Sequence, residues 1–502
     1  MKKLFIALAA FVLLILTALG IALGTGTISS SSLTMLANTG LGLEGPRVDE
    51  SSSGETYHLP PGFSLQIYAD ELPKARFMRF APNGDLVITR SHAGEVVLLR
   101  RDANGDGKHD GKQVILQGLN RPHGLDFHDG WLYVGEREQV GRIRFGEEGP
   151  QGEYQPLITG LTGDGNHWSK TLAFGPDGML YLAQGSTCNI CEEDDERRAT
   201  MMRFAPDGSD GEIFATGLRN SVGFDWAPWD GALYATDNGR DMLGDDFPVC
   251  ELNRVEQGRF YGWPYYNDNN VPDPNMGPDP LAPSRQPTPP AHGFAPHNAP
   301  LGISFVDSRT WPGDYERVAL VALHGSWNRS TPDGYKVVSL HFTETGIAQR
   351  DFLTGFNREG EIIGRPVDIA QGPDGAIYVS DDYAGAIYRI STDSVTASAS
   401  MVATKPGPRS GSAPPAWLSD NNLPAMSAAG KALYEHYKCA ECHERGENPV
   451  SLAGLAERMD YNAVMETLQA PPPPMPLLPL DEQQLRELAV FLLKAGDWGK
   501  VH

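Results

Sequence analysis

The sequence predicts an all-β six-bladed β-propeller followed by a small all-α domain. Three observations carry that expectation. A hairpin pattern recurs six times, no long helical periodicity interrupts residues 60 to 390, and helical spacing returns in the tail, around a Cys-x-x-Cys-His motif. The repeated pattern is an apolar residue or two, a turn holding Asp/Asn-Gly or Pro-Gly, then an alternating apolar strand, which reads as a tight β-hairpin. Its copies begin at Phe80, Leu125, Leu172, Val222, Ile303 and Val367. Their turn glycines are Gly84, Gly130, Gly178, Gly231, Gly313 and Gly375, spaced 46, 48, 53, 82 and 62 residues apart. Such units cannot bury their faces alone and match propeller blades stacked on their neighbours. Two β-sandwiches would not generate six similar units. The long gap holds a Pro/Asn-rich stretch, residues 268–300, read as an insertion.

From the N-terminus, Lys2 and Lys3 precede an apolar run over residues 4–23. A charged flank before a run of about 20 apolar residues is either a cleaved signal peptide or an anchor in the cytoplasmic membrane. Both alternatives place the body outside the cytoplasm, in the periplasm or beyond, because the positive charges stay inside. Residues 1–25 are assigned to this segment, 26–56 to a Gly/Ser/Thr-rich tether, and 57–392 to the propeller. Residues 393–425, rich in Ser, Ala, Pro and Thr, read as a linker, and 426–502 as the helical domain. In 502 residues, 41 Lys and Arg face 64 Asp and Glu, a net charge of −23. So acidic a chain repels phosphate backbones, which excludes nucleic acid as the expected partner.

The tail carries the most specific motif, Cys439-Ala-Glu-Cys442-His443. In an exported chain this is the attachment signal for covalent haem c: two thiols form thioethers and the adjacent His ligates iron. A zinc site would need further ligands nearby, and a redox pair would need a βαβ unit. Met475, in a proline-fixed loop before the last helix, is the expected sixth ligand; His/Met ligation favours electron transfer over oxygen binding. Leu485, Leu488, Ala489 and Leu492 have the spacing of one helix face. A domain of about 75 residues gains from such a covalent group.

Seven stretches of the propeller carry a resemblance. They are LNRPHGLDF (119–127), GDGNHWSKTLAFGPDG (163–178), TGLRNSVGFDW (216–226), TDNGRDMLGDDFPVCELN (236–253), GRFYGWPYY (258–266), HGSWNR (324–329) and GRPVDIAQGPDG (364–375). In this order they resemble the pyrroloquinoline-quinone (PQQ)-dependent glucose/sorbosone dehydrogenase family, six-bladed aldose dehydrogenases. The tail is similar to small class I cytochromes c. The resemblance implies PQQ and calcium as cofactors, with His167 as general base and Arg219 and Asn220 beside the quinone. A His near neutral pKa suits proton abstraction, and an Arg suits developing negative charge. It further implies calcium on the backbone carbonyls of Gly239 and Arg240, and cofactor carboxylates at Arg329 and Arg365. Trp168-Ser-Lys after His167 departs from the glucose-oxidising pattern and is closer to the sorbosone-type branch.

Two further features stand beside the resemblance. Asp102, Asn104, Asp106 and Asp110 sit at positions 1, 3, 5 and 9 of an EF-hand-like loop, but Gln113 replaces the terminal Glu. Either a structural calcium site or a plain acidic turn fits. Cys188 and Cys191 are close enough in sequence to pair in an oxidising compartment, with Cys250 either free or bridged to one of them. The expectation is therefore a periplasmic quinohaemoprotein that oxidises an aldose or sorbosone-like sugar. Electrons pass from PQQ to haem c and on to a soluble cytochrome or the membrane respiratory chain. The alternatives are a calcium-dependent sugar lactonase or a non-catalytic sugar-binding propeller, each with an attached cytochrome.

Overall fold

The computed structural model describes residues 57–392 apart from 310, 312, 314 and 359, together with Met35 and 401–402. In the tail it describes 423–440, 452, 455, 461–469, 478 and 480–494. The N-terminal apolar run, the tether other than Met35, and most of the linker lie outside the described residues. No described helix is long and apolar enough to cross a membrane.

Antiparallel strands build six blades. Their innermost strands are Ala75–Phe80, Leu125–His128, Lys170–Phe174, Ser221–Trp226, Pro300–Phe305 and Pro366–Gln371, and each pairs with the next strand in sequence. These are the hairpins the repeat predicts. The six turn glycines all have φ between +69° and +88°, a region that only glycine enters without strain. Second strands such as Leu180–Gln184 and Ile377–Asp381 are buried at every residue. They face neighbouring blades on both sides, which explains their apolar run.

The blades are joined by polar side chains on their first and second strands. Asp126, Asp225 and Asp368 accept the backbone N–H groups of Phe174, Phe305 and Met78 at 2.8, 2.7 and 2.8 Å, each in the following blade. Thr89, Thr171, Thr236 and Ser380 donate to His123, Val222, Leu301 and Arg76 carbonyls in the same way. Buried groups so paired cost little and set the angle between sheets.

Closure was not legible in the repeat. Phe63–Ala69 pairs antiparallel with Ala386–Thr392, so the first strand completes the last blade. Two corrections to the expected boundaries follow. The stretch read as an insertion supplies His292–Phe294, the outer strand of blade four, paired with Cys250–Val255. The stretch read as linker supplies Met401–Val402, paired with Ser64 and Leu65. Both are short edge strands whose pairing comes from a neighbour rather than from their own periodicity.

The chain divides into two compact units, up to residue 403 and from 404 onward. The second holds α1 (Leu423–His436), α2 (Tyr461–Gln469) and α3 (Glu482–Lys494). Leu485, Leu488, Ala489 and Leu492 are buried together with Tyr434 and Val464. Gly430 is where α1 meets α3: a Cβ there would lie 2.0 Å from the Glu487 carbonyl oxygen. Cys439 packs against this core. Cys442, His443 and Met475 lie outside the described residues.

Candidate active site

Antiparallel order sorts the loops of every blade onto two faces. Connections from first to second and from third to fourth strands leave one face. Those from second to third strands, and from blade to blade, leave the other. His167, Ser186, Arg219, Asn220, Gly239, His324, Arg329 and Arg365 all follow second strands or link blades. They therefore share one face, although they span about 200 residues of sequence.

His167 is oriented by Ser186. Its Nδ1 lies 2.8 Å from Ser186 Oγ and 3.1 Å from the Ser186 carbonyl oxygen. The Ser186 hydroxyl donates its single proton to the Cys188 carbonyl at 2.7 Å. Both groups facing Nδ1 can then only accept, so Nδ1 carries the proton and Nε2 is left with a free lone pair. Burial, and after it the charge of Arg219, pull the His167 pKa down to about 3. The ring is thus neutral across the physiological range, with Nε2 unprotonated.

Arg198, buried and absent from the sequence expectations, holds the loop that carries this histidine. Its Nη2 donates to the Asp164, His167 and Ser186 carbonyls at 3.1, 3.2 and 2.9 Å. Lys170 is fully buried and donates to the Thr162 and Trp168 carbonyls, both at 3.2 Å. Burial, then Arg198, lower its pKa to about 7.

Arg219 is 5% exposed and is held entirely by neighbouring loops. Its Nε and Nη2 donate to Asn189 O and Oδ1 at 3.0 and 2.8 Å, and its Nη1 donates to the Asn238 and Gly239 carbonyls, both at 3.0 Å. Asp241 lies 3.5 Å away. The Ser186 N–H donates to the Arg219 carbonyl at 2.7 Å, which ties the histidine to the arginine. Gly185 makes room for this approach: a Cβ there would lie 2.7 Å from both Asn220 Oδ1 and His167 Cβ.

Asn220 donates its backbone N–H to Asp237 at 2.5 Å, while its side-chain oxygen is buried without a protein partner, as is that of Asn238. Burial pushes Asp237 up to about 7. Burial, then the Asp237 charge, push Glu251 up to about 8. The guanidinium of Arg240 points away from this group, into a buried ion pair with Asp273 at 2.8 Å. It pins the 268–300 stretch to the site loop, so only its backbone carbonyl remains for a metal.

Arg329 donates to the Asp245 and Pro296 carbonyls. Its neighbour Asn328 reaches Asp241 at 3.1 Å and so joins the Arg219 group. Arg365 forms a second group, donating to the His324 and Gly325 carbonyls, both at 3.1 Å, and to Met35 Sδ at 3.0 Å. His324 and Arg76 flank Asp382 at 2.9 and 2.7 Å. Burial alone would raise that acid; His324, Arg76 and Arg365 hold it well below the usual carboxylate range.

Asp102, Asn104, Asp106 and Asp110 lie on the opposite face, between the third and fourth strands of blade one. Asp102 accepts the N–H groups of Gly105, Asp106 and Gly107, and Asp110 accepts from Ala103 and Asn104. These carboxylates accept from the amides of their own loop, as those of an acidic turn do. Cys188 and Cys191 form the expected disulfide, and Cys250 is buried with its thiol raised to about 11 by burial.

Comparisons with known proteins agree with this architecture. The chain is 29% identical over 354 residues to an uncharacterized protein of Borreliella burgdorferi, covering 67% of this chain and 90% of that one. A shorter segment of 117 residues is 33% identical to a PQQ-dependent pyranose dehydrogenase of Coprinopsis cinerea, covering 19% of this chain and 15% of that one. Among solved structures, the PQQ domain of the Coprinopsis cinerea pyranose dehydrogenase superposes with a TM-score of 0.58 at 22% identity, over 69% of this chain and 98% of that one. A calcium structure of a Trichoderma reesei carbohydrate-active enzyme of family AA12 gives 0.57 at 22%, over 67% and 97%. The family model for Glucose / Sorbosone dehydrogenase matches residues 133–389, a span that holds His167, Arg219, Asn220, Arg329 and Arg365. The chain belongs to the glucose/sorbosone dehydrogenase family.

Proposed function

We propose that the propeller is a PQQ-dependent sugar dehydrogenase that delivers electrons to a haem c carried on its own tail. The observation that carries the reading is the fixed tautomer of His167, a half-buried neutral imidazole whose Nε2 is free, tied through Ser186 to the buried cation Arg219.

The residues present fit the cofactors. Asn220 and Asn238 offer buried side-chain oxygens without protein partners, and an oxygen set with backbone carbonyls suits calcium. The carbonyls of Gly239 and Arg240 would hold the ion. Arg219, Asn220, Arg329 and Arg365 would hold the oxygens and carboxylates of PQQ. Bound PQQ supplies a two-electron acceptor for the hydrogen on the oxidised carbon. His167 takes the hydroxyl proton of an aldose or sorbosone-like sugar at Nε2, and its Nδ1–H stays on Ser186. Arg219 presents a fixed positive charge in a water-poor site, where it acts more strongly than in solution. Cys439 and Cys442 would carry the haem, His443 and Met475 would ligate its iron, and the group would supply a one-electron acceptor. A soluble cytochrome or the respiratory chain is the external acceptor, outside the cytoplasm.

The test uses the full chain with haem installed and oxidised. Calcium and PQQ are added, then a panel of aldoses, and the reduced-haem absorption band is followed. The expected result is reduction that needs both PQQ and sugar and disappears in His167→Ala. Reduction of an added dye without reduction of the haem would keep the dehydrogenase and remove the internal electron path. Failure of the chain to bind PQQ would overturn the reading.

A further inference from the structure

The disulfide loop Cys188-Asn189-Ile190-Cys191 has a role beyond cross-linking. Asn189 lies inside the ring closed by the bridge, and its hydrogen bonds leave that ring. Its carbonyl accepts from Arg219 Nε at 3.0 Å and from Trp263 Nε1 at 3.4 Å. Its Oδ1 accepts from Arg219 Nη2 and from the Asp241 N–H, both at 2.8 Å, and its Nδ2 donates to the Asp241 carbonyl at 3.1 Å. At the other end, the Cys188 carbonyl accepts the Ser186 hydroxyl that fixes His167. Glu193, just past the bridge, holds the Thr187 N–H and hydroxyl at 2.6 and 2.8 Å. One four-residue ring therefore touches the supports of both the base and the cation. Cys188 and Cys191 are half-buried, so solvent reaches the ring.

We propose that Asn189 is the positioning residue of Arg219, and that the Cys188–Cys191 bridge keeps it in place, so the site is competent only while the bridge is closed. A closed ring of this size has few conformations, so Asn189 is presented already aimed. Opening the ring gives that segment the freedom of an ordinary loop, and Arg219 loses two of its four strong acceptors. Opening takes two electrons and two protons from a dithiol. The dithiol closes to its own disulfide, the S–S bond breaks, and Cys188 and Cys191 become thiols. The effect on cofactor binding rests on the dehydrogenase reading; the coupling of ring to Arg219 does not.

The experiment compares the oxidised full chain, the chain reduced with dithiothreitol, and the variants Cys188→Ala/Cys191→Ala and Asn189→Ala. Three quantities are read: hydrogen exchange in peptides covering 216–221 and 238–242, affinity for PQQ with calcium, and the main melting transition. Opening the ring should speed exchange of the Asp241 amide by about tenfold or more, with the main transition in place. PQQ affinity should fall by about tenfold or more, the scale of a lost positioning contact. Asn189→Ala should show the same two effects without any reductant. Unchanged exchange at 238–242 in both the reduced chain and Asn189→Ala would overturn the proposal, even if the double cysteine variant fails to fold. Exchange that responds while no form binds PQQ would leave the positioning role standing and remove the dehydrogenase reading.

Discussion

The two faces of the propeller are built from the same hairpin, yet their polar groups are treated differently. On the face of the first-to-second and third-to-fourth loops, Asp102 and Asp110 accept the amides of their own turn. On the other face, the side-chain oxygens of Asn220, Asn238, Asn298 and Asn328 are buried without protein partners. Gln66 Oε1 and His109 Nδ1 are the exceptions near the acidic turn. An unsatisfied buried group costs about 1–3 kcal/mol, so a folded chain that keeps several on one face holds them for something else. The one face spends its polar groups on its own turns; the other keeps oxygens that the PQQ and calcium of the proposed function would use.

The largest expected effect breaks the ligand-receiving face at its base. His167→Ala should lower kcat by about 10²–10⁴-fold, the range for a lost general base, while the melting temperature stays close to that of the parent. Steady-state kinetics beside a thermal melt would check this; a normal kcat would move the base elsewhere. Gly185→Ala comes next. Its Cβ meets His167 and Asn220 at 2.7 Å, and a misplacement of that order costs roughly 10²-fold in rate. Overpacking there should cost about 1–3 kcal/mol of stability, measurable by denaturant titration.

A third prediction uses pH. Burial raises Asp237 to about 7 and Glu251 to about 8, so the folded chain holds protons there that the unfolded chain has released. Between the ordinary carboxylate pKa, about 4, and these raised values, the native state binds more protons, and stability must fall as pH rises. Melting temperatures of the calcium-free chain should decline over this window. Asp237→Asn should flatten the decline; an unchanged slope would show that the pair is not the cause. The smallest effect sharpens the contrast from the other side. Asp102→Ala removes three amide partners and should cost about 1–3 kcal/mol of stability. PQQ affinity and its calcium dependence should stay as in the parent chain, because the loop lies on the far face. A loss of calcium-dependent PQQ binding in this variant would end the distinction between the faces.

Much of the fold is visible along the chain, because a tight turn and an alternating strand are local events. The glycines from Gly84 to Gly375 mark six hairpins, and Leu485, Leu488, Ala489 and Leu492 mark one helix face. His292–Phe294 and Met401–Val402 were not legible, since a short edge strand is made by the neighbour it joins. At the site, the resemblance pointed to His167, Arg219 and Asn220, whose surrounding motifs are contiguous. Arg198 and Asn189 carried no such signal. Arg198 looks like any arginine in an acidic loop, and Asn189 sits in a segment whose cysteines suggested only a bridge.

The sequence by itself determined the number of blades, their turns and the buried helix face of the tail. Hydropathy and turn chemistry act over a few residues, and those features need nothing more. Tertiary structure alone decided the tautomer of His167, the isolation of Arg219 from solvent, and the turning of Arg240 toward Asp273 instead of the site. Each depends on a partner 19 to 33 residues away. Those partners meet because antiparallel blades deliver their second-to-third and interblade loops to a common face.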